Sequence, residues 1–354
     1  MKKMFILIVL SLMVYGCGTS IKIPSPNKDT SPISIEEEQK IQEAIEYHDK
    51  GDYQKAINLY SEILKSNPDN VLALYEMSYT LFMAKDFNKS LEYSLKGMEY
   101  NSKFLKQLYV TAGNSLDNLG KSKDAISLYK KGIEQFPREY LLYYNMAVSH
   151  FNLNNYKETE EYLIKTIKLN PLHSSSHLAL AGLYKSQEKQ IPSLLHYFRF
   201  LTLEPNTNRS KQAVSNTEEL MSWGVNKKDS KNIDINIFGL GDPDSPYSMM
   251  EMTLKLIKAA SYAEESKGKS AVEIRVNEIS SLISLIEEQK ERKNFDFTAS
   301  HLFPYFSNIK HTNNVDAFIY FIYQSVNDKE ISEWLKQNET KVNDFLEWNK
   351  NYLW

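Results

Sequence analysis

The 354-residue chain contains a single cysteine, Cys17, and that scarcity excludes two kinds of architecture. One thiol cannot close an intramolecular disulfide, so no disulfide framework stabilises this fold. It also cannot supply the paired thiolates of a structural zinc site. The 12 glycines form no G-x-G-x-x-G or phosphate-binding loop, and the sequence lacks H-E-x-x-H and G-x-S-x-G. The common motifs of dinucleotide-binding proteins, zinc proteases and serine hydrolases are therefore missing.

A strong charge of either sign is also lacking. The chain has 42 Lys and Arg against 45 Asp and Glu, a net charge of −3. Without a basic excess there is no electrostatic footprint for nucleic acid, so we expect no nucleic-acid partner. His173 and His177 have the i, i+4 spacing of metal ligands on one helix face, but no third ligand is nearby. We therefore expect no metal and no cofactor.

Long apolar runs are scarce, and the clearest one lies at the N-terminus. Lys2 and Lys3 precede an uncharged run of eleven residues, Met4 to Val14. As a helix this run rises about 16 Å, too short to cross the roughly 30 Å hydrocarbon layer of a bilayer. A positive start followed by a short apolar run is typical of a secretory signal peptide.

The end of this run, "VYGC" at residues 14–17, resembles the cleavage region of bacterial lipoprotein signal peptides. In that family the cysteine thiol is lipidated, the signal is removed before it, and the new amino group is acylated. The resemblance implies a signal peptide over 1–16, lipidation of Cys17 with palmitate or similar chains, and stable membrane attachment. Gly18 favours, in the enterobacterial pattern, an outer-membrane lipoprotein facing the periplasm. The alternative is a signal anchor with an unmodified cysteine.

Residues 18–34 contain three prolines and four serines without apolar periodicity. This composition is typical of extended linkers. We therefore predict a disordered tether over residues 17–36.

The middle of the chain repeats itself with a period of about 34 residues. Four prolines follow one another at steps of 69, 34 and 34, and 69 is one repeat of 34 plus one of 35; they are Pro68, Pro137, Pro171 and Pro205. Small residues recur in the same register at Ala44, Ser78, Gly113, Ala147 and Ala181, and again at Ala56, Ser90, Ala125, Thr159 and Ser193. Aromatic residues keep the step at Tyr60, Tyr129 and Tyr197.

These positions match pairs of packed helices, because small residues let two helices cross closely and proline ends the second helix. The period and the pattern resemble the tetratricopeptide repeat. The resemblance implies five helix-turn-helix repeats over 37–207, stacked as a superhelix; their bounds are 37–70, 71–105, 106–139, 140–173 and 174–207.

The remaining residues do not continue the repeat. A helix over about 208–223 carries few apolar residues, as expected of a terminal cap, so we assign 208–232 to a capping helix and linker. Residues 233–354 have helical periodicity and predict a small C-terminal helical domain. The alternating Ile233, Ile235 and Ile237 allow one short strand. The predicted fold class is all-α.

In tetratricopeptide repeats the first helix of each pair lines the concave face, and the resemblance implies which residues meet a partner. Aromatic rings and a few amides suit an extended or helical peptide. The implied peptide-binding residues are Tyr75, Tyr79, Phe82, Val110, Asn114, Tyr144, Asn145, Val148 and Phe151.

Chaperone-type repeats clamp a terminal carboxylate, and Asn114 and Asn145 match two of their five polar positions. However, Val110, Ser175 and Ala179 stand where the family has lysines and arginine. We therefore expect no carboxylate clamp. The alternative for the aromatic face is that the chain covers it with its own tether or C-terminal domain.

The expected function is a lipid-anchored adaptor or scaffold in the bacterial envelope, binding partner proteins or peptides and not acting as an enzyme. The layout resembles outer-membrane assembly lipoproteins with five such repeats and small repeat lipoproteins that hold envelope hydrolases near substrate. Two alternatives stay open: an enzyme with its active site in 233–354, and a structural subunit of a secretion or motility machine.

Overall fold

A computed structural model describes residues 21–229, 232–236, 245, 247–265, 267–289, 295–352 and 354, with the side chains of 263–265 left out. The predicted signal peptide and Cys17 lie outside these residues. The chain divides into two compact units, Met1–Glu134 and Gln135–Trp354.

The first unit is a series of helices that pack in consecutive pairs. They are α1 (Ile35–Asp49), α2 (Tyr53–Ser66), α3 (Val71–Met83), α4 (Phe87–Gly97), α5 (Leu105–Asn118) and α6 (Ser122–Gln135). Side-chain caps fix several helix starts: Asp52, Asn70 and Asp86 each accept a hydrogen bond from the backbone N–H three residues on. Such caps satisfy backbone donors that the first helical turn leaves unpaired.

The second unit continues with further helices and one small sheet. The helices are α7 (Tyr140–Asn152), α8 (Tyr156–Leu169), α9 (Ser174–Ser186), α10 (Gln190–Leu203), α11 (Asn208–Met221), α12 (Ser248–Glu265), α13 (Ala271–Gln289), α14 (Phe297–His311), α15 (Val315–Ile322), α16 (Lys329–Gln337) and α17 (Glu339–Asn351). A 3-10 turn, Gln324–Val326, follows α15.

The turn inside each helical pair has the same backbone conformation at the same step. A positive φ occurs at Gly51, Lys85, Gly120, Asn154 and Glu188. These positions follow one another at intervals of 34, 35, 34 and 34 residues, the steps of the prolines and small residues. A left-handed residue ends the first helix and redirects the chain into the second. The predicted all-α class with helix-turn-helix repeats is confirmed.

Close helix crossing occurs at the predicted small residues. The Ser90 hydroxyl donates to the backbone carbonyl of Ser78 over 2.8 Å, and Ser193 does the same to Ala181 over 2.8 Å. In each case the second small position of a repeat bonds to the first. A larger side chain at either position would hold the two backbones apart.

The helices after residue 233 share one hydrophobic core with the last helical pair and α11. Every residue from Gln190 to Thr202 in α10 is buried, because α12, α14 and α15 pack on it. Phe198 of α10 contacts Phe306 and Phe318 edge-on. A helix that is apolar on all sides needs this enclosure.

A two-stranded antiparallel sheet joins β1 (Val225–Lys227) to β2 (Ile233–Ile235), with Val225 opposite Ile235. The strand β2 lies at the predicted isoleucine alternation, although Ile237 falls outside the described residues. Its partner β1 lies in the stretch predicted as a linker. In the described part of the chain, no helix combines the length and apolarity needed to cross a bilayer.

Residues 27–34, which lie in the predicted tether, run along the first unit. The N–H groups of Asn27 and Lys28 donate to the Glu99 carbonyl over 2.9 and 3.0 Å, and Asn101 N–H donates to the Lys28 carbonyl over 2.9 Å. Ser31 Oγ donates to Asn67 Oδ1 over 2.8 Å. These contacts hold the segment at two turns between helical pairs, where the composition had predicted disorder.

Candidate functional site

In the first unit, the implied binding residues lie on α3 and α5, the first helices of two successive pairs, which pack on each other. Tyr79 leaves 38% of its surface exposed, and Tyr75, Phe82 and Val110 are half-buried. The structure therefore brings three aromatic rings and one aliphatic side chain onto neighbouring helices without enclosing them. An exposed aromatic surface of this kind offers large apolar contact area.

Each aromatic ring is braced by a neighbour. Tyr79 stacks on His48 with centroids 5.1 Å apart, and Tyr75 stacks on Phe104 at 5.4 Å. The ring of Phe82 tilts against Phe87 at 5.5 Å. A ring held in place before binding loses little rotamer freedom when a partner contacts its free face.

Asn114 has a role inside its own repeat. Its Oδ1 accepts a hydrogen bond from the Tyr129 hydroxyl over 2.7 Å, and the Tyr129 ring lies over Gly113. The sequence predicted that this amide would fix the backbone of a bound peptide. In the structure its oxygen instead helps to join the two helices of the pair.

In the second unit, an apolar hollow of about 350 Å³ opens between α7, α8 and α9. Val148 and Phe151 line it from α7, and Phe151 leaves 50% of its surface exposed. Ala179 and Gly182 line it from α9, and a Cβ added at Gly182 would meet nothing within 4 Å. Ala179 stands where clamp-type repeats carry a cation, so an apolar space replaces a charged contact.

Tyr144 and Asn145 do not line this hollow. The Tyr144 ring meets the edge of His173 at 4.7 Å, and the pKa of His173 is lowered by burial and by Arg209. Ser149 Oγ donates to the backbone carbonyl of Asn145 over 3.2 Å. The four implied residues of α7 therefore divide into a pair in the hollow and a pair beside it.

The sequence analysis missed Glu76, which lies on α3 between the aromatic residues. It is half-buried, and its pKa is raised to about 7 by burial and by the charge of Asp49. Glu76 precedes Asn145 by 69 residues, so the two occupy the same repeat position. That register could have identified it as an inward-facing charge.

Histidines form a second buried cluster, in the second unit. His177 Nδ1 lies 3.0 Å from His196 Nδ1, and His196 Nε2 lies 3.2 Å from Thr298 Oγ1. Among the residues that the structure describes, no group of three or more His, Cys, Asp or Glu is arranged to hold a metal. The histidines therefore link α9 and α10 to α14 through hydrogen bonds.

Family models described as tetratricopeptide repeat match residues 41–96, 106–138 and 140–171. The chain contains tetratricopeptide repeats. Repeats of this kind generally bind protein partners, and scaffolds built from them are typically non-enzymatic.

Two curated relatives illustrate the sequence similarity. A small glutamine-rich tetratricopeptide repeat-containing protein of Dictyostelium discoideum is 28% identical over 115 residues, 32% of this chain and 34% of that protein. A TPR repeat-containing protein of Methanocaldococcus jannaschii is 22% identical over 326 residues, 82% of this chain and 56% of that protein. This chain therefore spans about a third to a half of the length of these relatives.

Solved structures give a similar result. PilW, described as a widely conserved type IV pilus biogenesis factor, matches with a TM-score of 0.46 and 17% identity, over 54% of this chain and 92% of that one. A thermophilic TPR protein of Thermus thermophilus matches with a TM-score of 0.44 and 20% identity, over 52% of this chain and 98% of that one.

Proposed function

We propose that this protein is a scaffold that binds polypeptide partners through the inner faces of its tetratricopeptide repeats. We further propose that it is a bacterial envelope lipoprotein, attached to the outer membrane on the periplasmic side. In this proposal residues 1–16 are the signal peptide, Cys17 carries the acyl chains, and residues 17–36 connect the anchor to the repeats. The C-terminal helices over 233–354 cover the last repeat.

The observation that carries the binding proposal is the hollow beside Phe151. It is already open, its lining is mostly apolar, and an aromatic ring at its edge is half exposed. Burying one apolar side chain of a partner in such a space contributes about 1.5–3 kcal/mol. Apolar surface at the centre of an interface is where most binding free energy is concentrated.

The anchoring proposal is supported by the sequence pattern around Cys17. Lys28, eleven residues further on, bonds to the first unit through its backbone. Eleven extended residues span at most about 36–40 Å. An acylated Cys17 would therefore keep the first unit within that distance of the bilayer surface.

A binding experiment with the purified chain tests the first part. A phage-displayed library of random dodecapeptides is selected on the wild-type chain, and enriched peptides are measured again on two variants. Gly182→Trp fills the hollow, while Met249→Trp adds the same ring on α12, where Met249 is 62% exposed. The two variants add the same side chain at exposed sites, so they differ in place and not in chemistry.

We expect enriched peptides to include a class that loses binding to Gly182→Trp and keeps it with Met249→Trp. Absence of any enriched peptide would contradict polypeptide binding. Peptides that bind all three proteins equally would show that the hollow is not the binding site.

A further inference from the structure

Glu76 lies on α3 one residue after Tyr75 and three residues before Tyr79. Residues three and four apart on a helix are neighbours on one face, so Glu76 and Tyr79 share a surface. Glu76 also occupies the repeat position of Asn145, one of the implied contact residues. It is half-buried, so its carboxylate is partly removed from water and still reachable from outside.

No positive charge compensates this carboxylate within the described part of the chain. Its charged neighbour is Asp49 at the end of α1, and the phenols of Tyr60 and Tyr75 are the other titratable groups beside it. His48 is near Tyr79, but burial lowers its pKa, and its Nδ1 lies 2.8 Å from Thr80 Oγ1. A neutral histidine leaves the negative charge uncompensated.

This arrangement is unfavourable for the free protein. Partial burial and the repulsion from Asp49 both disfavour the ionised form, which is why the pKa of Glu76 rises to about 7. Partly desolvated charges without a partner are uncommon in structural positions and cluster at functional ones. The group that would relieve this cost must be positive and must reach the surface beside Tyr79.

An ammonium or guanidinium group meets both requirements. It would pair with the carboxylate in a charge-assisted hydrogen bond, and it would lie against aromatic rings whose faces attract cations. An apolar or acidic side chain would leave Glu76 unpaired or repelled. A metal ion would need further ligands, and no group of three is arranged for it among the described residues.

We propose that Glu76, with Tyr75 and Tyr79, recognises a lysine or arginine side chain of the bound polypeptide. This inference rests on the proposed function, because it names the chemistry of a partner that the repeats bind. It assigns a specificity-determining contact to the first unit, separate from the hollow in the second.

The test uses the same random dodecapeptide library on the purified whole chain. The relevant peptides are those that bind wild type and lose binding to Tyr79→Ala, because they contact α3. We expect Lys or Arg to be enriched in these peptides relative to the peptides that keep binding to Tyr79→Ala. Replacing that basic residue by norleucine should weaken binding about tenfold, since it removes both the ion pair and the cation–π contact.

The decisive comparison is between Glu76→Gln and Glu92→Gln, which changes an exposed glutamate on α4. With Glu76→Gln, the basic peptide and its norleucine analogue should bind equally. With Glu92→Gln, the tenfold difference should persist. A difference that survives Glu76→Gln, or Tyr79-dependent peptides without basic residues, would overturn the inference and leave polypeptide binding intact. If no Tyr79-dependent peptide is enriched, the inference fails while the hollow keeps its own test; if no peptide is enriched at all, both proposals fail.

Discussion

The contact between Gly113 and Tyr129 offers a sharp test of how the repeats are built. Gly113 is the small residue of its repeat, and a Cβ at this position would lie 2.6 Å from the Tyr129 hydroxyl oxygen and closer still to the ring. Non-bonded heavy atoms normally keep about 3.5–4.0 Å apart. In Gly113→Ala the fully buried ring must therefore move by about 1 Å or more.

The cost follows from three contributions. Overpacking a buried contact destabilises by about 1–3 kcal/mol. Displacing the ring also weakens the 2.7 Å hydrogen bond from Tyr129 to Asn114, worth about 1 kcal/mol. Alanine regains about 1 kcal/mol over glycine in a helix interior. The net expectation for Gly113→Ala is a free energy of unfolding lowered by about 1–3 kcal/mol.

Gly182→Ala is the matched control. Gly182 also lies within a first helix, but its surroundings are open within 4 Å. Only the propensity term remains there, so this variant should be stabilised by up to about 1 kcal/mol. The same substitution thus has opposite signs at two positions, and only the packing differs.

Urea unfolding followed by two spectroscopic methods makes the measurement. All four tryptophans, Trp223, Trp334, Trp348 and Trp354, lie in the second unit, so fluorescence reports that unit and far-UV circular dichroism reports both. Gly113→Ala should lower the midpoint seen by circular dichroism and leave the fluorescence midpoint unchanged. An unchanged or raised stability of Gly113→Ala would refute the close approach.

Three further predictions concern titration and anchoring. Burial lowers the pKa of His196 to about 3 and of His301 to about 4, so stability present above pH 6.5 should fall as pH drops towards 4, by up to about 1.4 kcal/mol per pH unit for each; His301→Phe should flatten this fluorescence-detected dependence, and His311→Gln, at an exposed site, should not. Because the pKa of Glu76 is raised to about 7, Glu76→Gln should stabilise the first unit at pH 8 and not at pH 4, as measured by circular dichroism. Cys17→Ser should abolish labelling by an alkynyl fatty acid, and unchanged labelling would contradict lipidation at this residue.

The sequence predicted the repeats well because their determinants are local. The spacing of the prolines and small residues reflects helix ends and close crossings, which need only residues within one pair. The left-handed turn positions then follow the same step, even where Lys85 and Glu188 replace glycine. The apolar stretch in α10 also indicated a buried helix.

The rest depended on contacts between distant residues. His196 bonds to Thr298, 102 residues away, and no pattern near either residue predicts that pairing. The strand β1 could not be separated from a polar linker, because only its pairing with β2 defines it. Glu76 escaped notice because its half-burial and its repulsion from Asp49 arise only when α1 packs on α3.

The most direct test of the central claim is photo-crosslinking in living cells. The photoreactive residue p-benzoylphenylalanine replaces Phe151 at the edge of the hollow and, in a second strain, Glu161 on the exposed face of α8. Binding at the inner face predicts a discrete polypeptide adduct at position 151, absent at position 161 and lost when Gly182→Trp fills the hollow. Equal adducts at both positions, or an adduct that persists with Gly182→Trp, would contradict it.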